Sequence, residues 1–453
     1  MTVAAAFARF ATGLAWSDVS GDVRRKLLAH LVDSIAVMCA GAATPEAAAL
    51  LSSVAAQPDG CRVVTRDVAV APADAALLNG FAGRRHTFDD TLEAGPIHPG
   101  STIWAASLAG GEHALAPLTR LLTAALAGYE LAIRLADALG PGHYDRGFHG
   151  TGTCNAPGAG LAAAVAMGLD AASVAHAVNL AAAAASGTRQ YQVDGSIIHS
   201  ALNGARAASA GVQSAGFAAA GLDAPAGQLD GKWGLLALFE APHGLADHDL
   251  GSTWGLCRLG LKPFPTCRFT HGPIAAFDGL RQLHGLTPES VATIDIRTFA
   301  QSASVSDRPV WENREEAILS HQFALAATLR EGPPALATLD RLAGDAELRN
   351  LAGRIGVSVD PGLERRAADA WPHHLRVTLR DGRVLEAFSP APPGSLPGDD
   401  ATPAMRDKVE RLIGLGLGAG RLDALRALLA EPERHMVAEL TALLGPAEVR
   451  HGL

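Results

Sequence analysis

Four short polar segments bring together side chains able to do acid–base or anion-binding chemistry. The first, His86-Thr87-Phe88-Asp89-Asp90-Thr91, is followed by His98-Pro99-Gly100-Ser101. Two adjacent carboxylates, a hydroxyl and a nearby imidazole put groups that take and return a proton near neutral pH on one loop. The second runs from Gly142 to Thr153 and carries His143, Tyr144, Asp145, Arg146 and His149 among glycines that leave the backbone open to approach. The third is Asp194-Gly195-Ser196 with His199. The fourth, Lys262-Pro263-Phe264-Pro265-Thr266-Cys267-Arg268, continues to His271. Lys26, Lys232, Lys262 and Lys408 are the only lysines in a chain that otherwise uses arginine, which makes Lys262, beside two prolines, a candidate anion anchor. Plainer roles exist for the same residues: an Asp-rich turn, Ser101 capping the helix after it, His149 capping another.

Other chemistries find no support. Gly414-Leu-Gly416-Leu-Gly418-Ala-Gly420 follows a helix and departs from the dinucleotide fingerprint at its end. Gly231-Lys232-Trp233 lacks the spacer and hydroxyl of a phosphate loop, and no G-x-S-x-G elbow occurs. The five cysteines show no CxxC spacing, so a disulfide framework or structural zinc is not expected. No histidines pair at i, i+4 with a carboxylate on one helix, so no metal and no cofactor are expected.

These loops need elements to position them. Val23, Leu27, Leu31, Ile35 and Met38 recur at helical spacing, predicting a helix from Asp22 to about Ala43. Pro72 opens a second, through Leu77, Leu78 and Phe81. Pro117 opens a third that Gly140-Pro141 closes, Asp170 or Ser173 caps a fourth ending near Gly187, and an Ala-rich fifth runs from about Ala201 to Gly221. Thr293 to Phe299 alternates as a half-buried strand does, and Leu375 to Arg380 meets Asp381-Gly382 and resumes at Val384, a hairpin signal. Helical stretches near Ala317 to Leu329 and Ala335 to Leu342 lie between them. The Pro-rich stretch from Pro390 to Pro397 ends this region, and a helix returns from Pro403. The expected fold is mainly α: a helical region followed by a smaller α+β unit over residues 265–398.

Over 453 residues, 48% hydrophobic and 18% charged, a disordered or fibrous chain is excluded. The net charge of −9 comes without a basic run, which argues against nucleic acid as a partner. No stretch reaches the roughly 18 apolar residues of a membrane span. The start of the chain lacks a signal-peptide pattern, so a cytoplasmic location is expected.

Taken together, Asp33-Ser34-Ile35-Ala36, Leu78-Asn79-Gly80-Phe81-Ala82, Phe88-Asp89-Asp90-Thr91 with His98-Pro99, Gly147-Phe148-His149-Gly150-Thr151, Asp194-Gly195-Ser196 and Lys262-Pro263-Phe264-Pro265 with His271 resemble the MmgE/PrpD family in order and spacing. That family includes 2-methylcitrate dehydratase, cis-aconitate decarboxylase and iminodisuccinate epimerase. The resemblance implies a large helical domain built from residues 1–264 and 399–453, a smaller α+β lid domain over 265–398, a homodimer, and a metal-free cleft for a small polycarboxylate. Its shared chemistry is removal of a proton next to a carboxylate. Carried over, it implies His98 as base or acid, His149 as its counterpart, and His199 and Asp90 as further catalytic groups. Lys262 becomes the carboxylate anchor, with Arg268, Asp89, Thr91, Thr87, Cys267 and His271 as substrate-binding residues. The activity expected is that of a hydro-lyase like 2-methylcitrate dehydratase, with an epimerase or isomerase, a decarboxylase and a non-catalytic carboxylate-binding relative as alternatives. Many members have Asp at Thr87, Lys at His199 and His at Leu202, and the decarboxylase branch has His at Cys267. These departures change the proton inventory and make decarboxylation the least comfortable assignment.

Overall fold

The computed structural model describes residues 1–395, 402–418 and 420–446. The fold is mainly α, and its first half is a run of helices. These are α1 (Val3–Gly13), α2 (Gly21–Ala42), α3 (Pro45–Leu51), α4 (Pro72–Arg84), α5 (Gly100–His113), α6 (Leu118–Asp145), α7 (Gly150–Thr153), α8 (Asn155–Ala166), α9 (Ala171–Ala183), α10 (Gln190–Val193) and α11 (Ile198–Ala219). Their starts follow the capping chemistry of the sequence. Ser20 Oγ accepts from Val23 N ahead of α2, Asp170 accepts from Ser173 N ahead of α9, and Pro72 occupies the first turn of α4.

Alanine and glycine let these helices pack at short range. Every residue of α8 is buried, and α8 lies against α5, α6, α9 and α11. At its crossing with α6, a Cβ on Gly158 would sit 2.7 Å from Gly128 O, and one on Gly128 would sit 2.9 Å from Gly158 O. The two backbones therefore touch where both helices carry glycine. One hydrophobic core contains residues from Ala4 to Leu259 together with Val409 to Leu444, so the helices Pro403–Leu417, Arg421–Ala430 and Val437–Leu443 pack back onto the first bundle. A second core runs from Tyr191 to Leu379.

The second core is covered by a four-stranded sheet of order β4-β3-β5-β6, where β3 is Val291–Thr298, β4 Ile355–Val359, β5 His373–Leu379 and β6 Val384–Ser389. β3 runs parallel to β4 and antiparallel to β5, and β5–β6 is the hairpin announced by Asp381-Gly382, with Gly382 at φ 88°. Ile294, Ile296 and Thr298 are buried in alternation, as their spacing predicts, and Val291 is buried beyond an irregularity in the pairing with β5. The helices His271–His284 and His321–Glu331 complete this unit.

Several local expectations are corrected. β4 is a strand that alternation does not reveal, being short and mostly uncovered. The pair β1 (Ala56–Arg62) and β2 (Ala69–Val70) is likewise hidden, because Pro58, Asp59 and Gly60 are poor strand formers. The helix expected over Ala317 to Leu329 is two, Arg314–Ala317 and His321–Glu331, because Ser320 Oγ takes Phe323 N as a new cap. Gly140 kinks α6 at φ 62° without ending it, so the segment from Gly142 to Thr153 is largely helical turns and not an open loop. The expected boundary at residues 398–399 lies outside the described residues, as does Ala419 of the rejected glycine motif. Among the described residues no single helix is long and apolar enough to cross a membrane.

Candidate active site

Where the two cores meet, α4 ends and the chain turns into the first polar segment. That segment, the second and the fourth converge on one cleft. Thr87, Thr91, His98, His149, Lys262, Cys267 and Arg268 line it, joined by Arg84, Tyr144, Tyr191 and Gln192 from the bundle side and Phe269, Val305 and Trp371 from the other. About 60 Å³ of free volume is left between them. Pockets that hold small molecules are roughly 300 Å³ or more, so the cleft must open to admit one. Polar contacts cross between its two sides: Arg85 to Glu315 (3.1 Å), Arg314 Nη2 to His86 Nδ1 (2.8 Å) and Arg308 Nη2 to Gln192 O (2.8 Å).

His98 is held from three sides. Its backbone N donates to Thr151 Oγ1 (3.1 Å), its carbonyl accepts from Asn155 Nδ2 (2.9 Å), and its ring Nδ1 lies 2.7 Å from Asp90 O and 3.1 Å from Thr91 Oγ1. A carbonyl only accepts, so Nδ1 carries the proton and Nε2 keeps its lone pair. Burial, with the cations Arg84 and Lys262, holds the His98 pKa well below the usual imidazole value, so the ring is neutral and basic at Nε2. His149 stands at the N-cap position of α7 without capping it. Its Nδ1 meets Asn203 Nδ2 at 3.0 Å, Tyr191 packs edge-on at 5.2 Å, and burial with Arg84 and Arg189 keeps this ring neutral as well.

Lys262 is fully buried and donates to Thr87 O (2.8 Å). Burial, followed by the repulsion of Arg84, brings its ammonium down to about 7. Thr87 presents that carbonyl from a left-handed conformation, φ 54°, which a β-branched residue seldom adopts. Cys267 lines the cleft half-buried, with Ser306 Oγ 3.8 Å from its sulfur.

Other residues named from the sequence lie behind the cleft or outside it, and Arg268, in its wall, is already paired. Asp89 gives Oδ1 to Arg84 (2.5 Å) and Oδ2 to Ser101 Oγ (2.9 Å), so it holds a cation and takes the hydroxyl expected to cap α5. Asp90 is a second layer: Gly100 N (2.8 Å), Tyr129 OH (3.0 Å) and His30 Nδ1 (3.0 Å) occupy its carboxylate, and only its carbonyl reaches His98. Arg268 is no free anchor, because Glu93 (2.8 Å), Leu261 O (3.2 Å) and Pro393 O (2.7 Å) consume its guanidinium. His271 is fully buried between Thr266 O (3.2 Å) and Arg268 (3.4 Å). His199 is exposed, with Nδ1 3.3 Å from Ser196 Oγ, and does not reach the cleft. Ile197 faces inward there, which turns a residue two positions on to the opposite side. Among the described residues no three or more His, Cys, Asp or Glu side chains cluster at metal-holding distance.

Two family profiles match the chain: the MmgE/PrpD N-terminal domain over residues 5–246 and the MmgE/PrpD C-terminal domain over residues 264–428. The chain belongs to the MmgE/PrpD family. A cis-aconitate decarboxylase of Aspergillus terreus (strain NIH 2624 / FGSC A1156) is 26% identical over 298 residues, 62% of this chain and 60% of that protein. A cis-aconitate decarboxylase-like protein, oryM, of Aspergillus oryzae (strain ATCC 42149 / RIB 40) is 27% identical over 301 residues, 62% of each. The chain thus spans about three fifths of the length of the curated relatives it matches.

In this MmgE/PrpD chain the sequence signal overlooked most is Arg84. It falls one turn after Gly80 on the buried face of α4, so its guanidinium enters the core beside Asp89 and Ser200 (3.0 Å). Lys408 is another: its Nζ donates to Phe88 O (2.9 Å) and Lys262 O (3.0 Å) and pairs with Asp33 Oδ1 (2.7 Å), fastening the first and fourth segments from behind.

Proposed function

We propose that this chain is a lyase that needs no cofactor and removes a proton next to a carboxylate of a small di- or tricarboxylate, eliminating water from a hydroxylated substrate. The observation that carries the reading is His98: a half-buried neutral imidazole whose Nδ1 proton is committed to Asp90 O, leaving Nε2 bare in a cleft that also holds Lys262 and Arg84. In this reading Nε2 of His98 takes the α-proton and the electron pair moves into the carboxylate. Lys262 and His149 face the resulting charge. The double bond forms as hydroxide departs, and hydroxide collects the proton from His98 to leave as water. Lid closure by the smaller unit, a homodimeric assembly and a cytoplasmic setting belong to the same proposal.

Decarboxylation is a second reading, favoured by the names of the relatives. It would need the same anion anchor but a proton delivered to carbon, and Cys267 stands where the resemblance puts a histidine in that branch. Proton NMR in deuterated buffer with 2-methylcitrate, citrate, cis-aconitate and iminodisuccinate separates the readings. A new alkene signal from a hydroxy acid, absent in His98→Gln, is the expected result. Carbon dioxide release from cis-aconitate would favour the second reading, and α-deuteration with the skeleton intact would make the chain an epimerase.

A further inference from the structure

The geometry points to Asn203 as a positioning residue that fixes the proton of His149 on Nε2, so that this imidazole meets a substrate as a hydrogen-bond donor. Its catalytic meaning rests on the reading above; its structural content does not. Asn203 lies in the first turns of α11, with Nδ2 3.0 Å from His149 Nδ1 and 3.2 Å from Thr188 O. The Thr188 carbonyl only accepts, so it selects the amide orientation that points nitrogen at both partners. An amide nitrogen has two hydrogens and no acceptor site. One goes to Thr188 O and the other to Nδ1, which must then be bare, and in a neutral ring the proton sits on Nε2.

The chain around Thr188 is built to hold this arrangement. His149 N donates to Gly187 O (3.0 Å), Arg189 N donates to Gly147 O (2.8 Å), and Phe148 pairs with Thr188 as an isolated bridge. A Cβ on Gly152 would lie 2.2 Å from Ser186 O, so glycine there lets this segment come close enough to deliver the carbonyl. The groups facing the ring are Arg84 from α4, Arg189 and Tyr191 from the start of α10, and His98 across the cleft. No carboxylate is among them, so nothing there favours the imidazolium over the neutral ring. The two histidines are therefore held in opposite tautomers by opposite partners. The carbonyl of Asp90 keeps the proton on Nδ1 of His98, and the amide of Asn203 keeps it off Nδ1 of His149. One ring offers a lone pair to carbon and the other an N–H to the carboxylate on which charge develops.

The test is the nitrogen NMR spectrum of the histidine-labelled full chain at neutral pH, with His149 assigned by its loss in His149→Gln. In the wild type an unprotonated Nδ1 and a protonated Nε2 are expected. Asn203→Asp replaces a donor by an acceptor and should invert the pattern, while Asn203→Leu should leave both tautomers populated. With a substrate that turns over, both variants should lose about 10- to 100-fold in kcat, the cost typical of removing a residue that orients an active-site imidazole, with KM changed far less. Asn203→Asp should regain activity toward acid pH, where the imidazolium again carries Nε2–H, and Asn203→Leu should not. A wild-type His149 protonated at Nδ1, or an unchanged tautomer in Asn203→Asp, overturns the inference. The wild-type spectrum, assigned through His149→Gln, decides it even if neither Asn203 variant folds, and it does so whether or not any panel acid is consumed.

Discussion

Among single residues, Lys262 gives the clearest pH signature. Its ammonium, lowered from the ordinary lysine range to about 7 by burial and Arg84, is charged below that value and neutral above it. His98, held well below its usual value, is already basic throughout this range. The expected profile of kcat/KM is flat below neutrality and falls about tenfold per pH unit above about 7, since kcat/KM reports groups of the free enzyme. Lys262→Met should lower kcat/KM and abolish that alkaline limb. A limb that persists in Lys262→Met would assign it to another group. Residue types and spacing made His98, His149 and Lys262 legible as residues of one cleft, because polar groups cluster on the segments between helices. They did not show that the Asp90 carboxylate lies behind the cleft or that Arg268, in its wall, is already paired. Whether a charge faces a ligand or is spent on Glu93 or Tyr129 depends on partners distant in the chain. Arg84 and Asn203 were hidden for a different reason: each lies within a helix whose small residues draw attention to packing.

At the scale of elements, the helical bundle was readable because its apolar period and capping residues agree, as in α2 with Ser20 and α9 with Asp170. Short elements stabilised by distant neighbours were not: β4 exists through its pairing with β3, and α7 through its place between His149 and α8. Glycine within helices reads as a weak helix former until the crossing partner is known. At the α6–α8 crossing, even a methyl group on Gly158 meets a backbone carbonyl that no rotamer change can move. Gly158→Ala should therefore destabilise the protein by about 1–3 kcal/mol, the cost of overpacking, despite its higher helix propensity. Urea unfolding midpoints of the two proteins check this; an equal or higher midpoint in the variant would mean the helices separate freely.

For the whole molecule, the unusual load is buried neutral imidazole. His86, His98, His143, His149, His271, His321 and His373 all have pKa values lowered chiefly by burial, to about 3 for His86 and His321 and about 4 for His143. Because the folded values lie below the unfolded ones, the unfolded chain binds more protons in acid. The stability these groups allow is complete above about pH 6.5 and is lost as pH falls from there toward their folded values. Each histidine costs about 1.4 kcal/mol per pH unit across that window. Unfolding midpoints should drop steeply between neutral pH and pH 5, and a flat profile there would mean these rings are already protonated in the folded state. The same burial that makes the protein acid-sensitive keeps His98 and His149 uncharged in the cleft.

The most direct test of the central claim is the comparison of wild type with His98→Gln in deuterated buffer, followed by proton NMR of the hydroxy acid that the wild type consumes. The expected result is loss of the α-proton signal with growth of an alkene in the wild type, and neither change in His98→Gln while the acid still binds. Equal loss of that proton in the variant would show that another base performs the step.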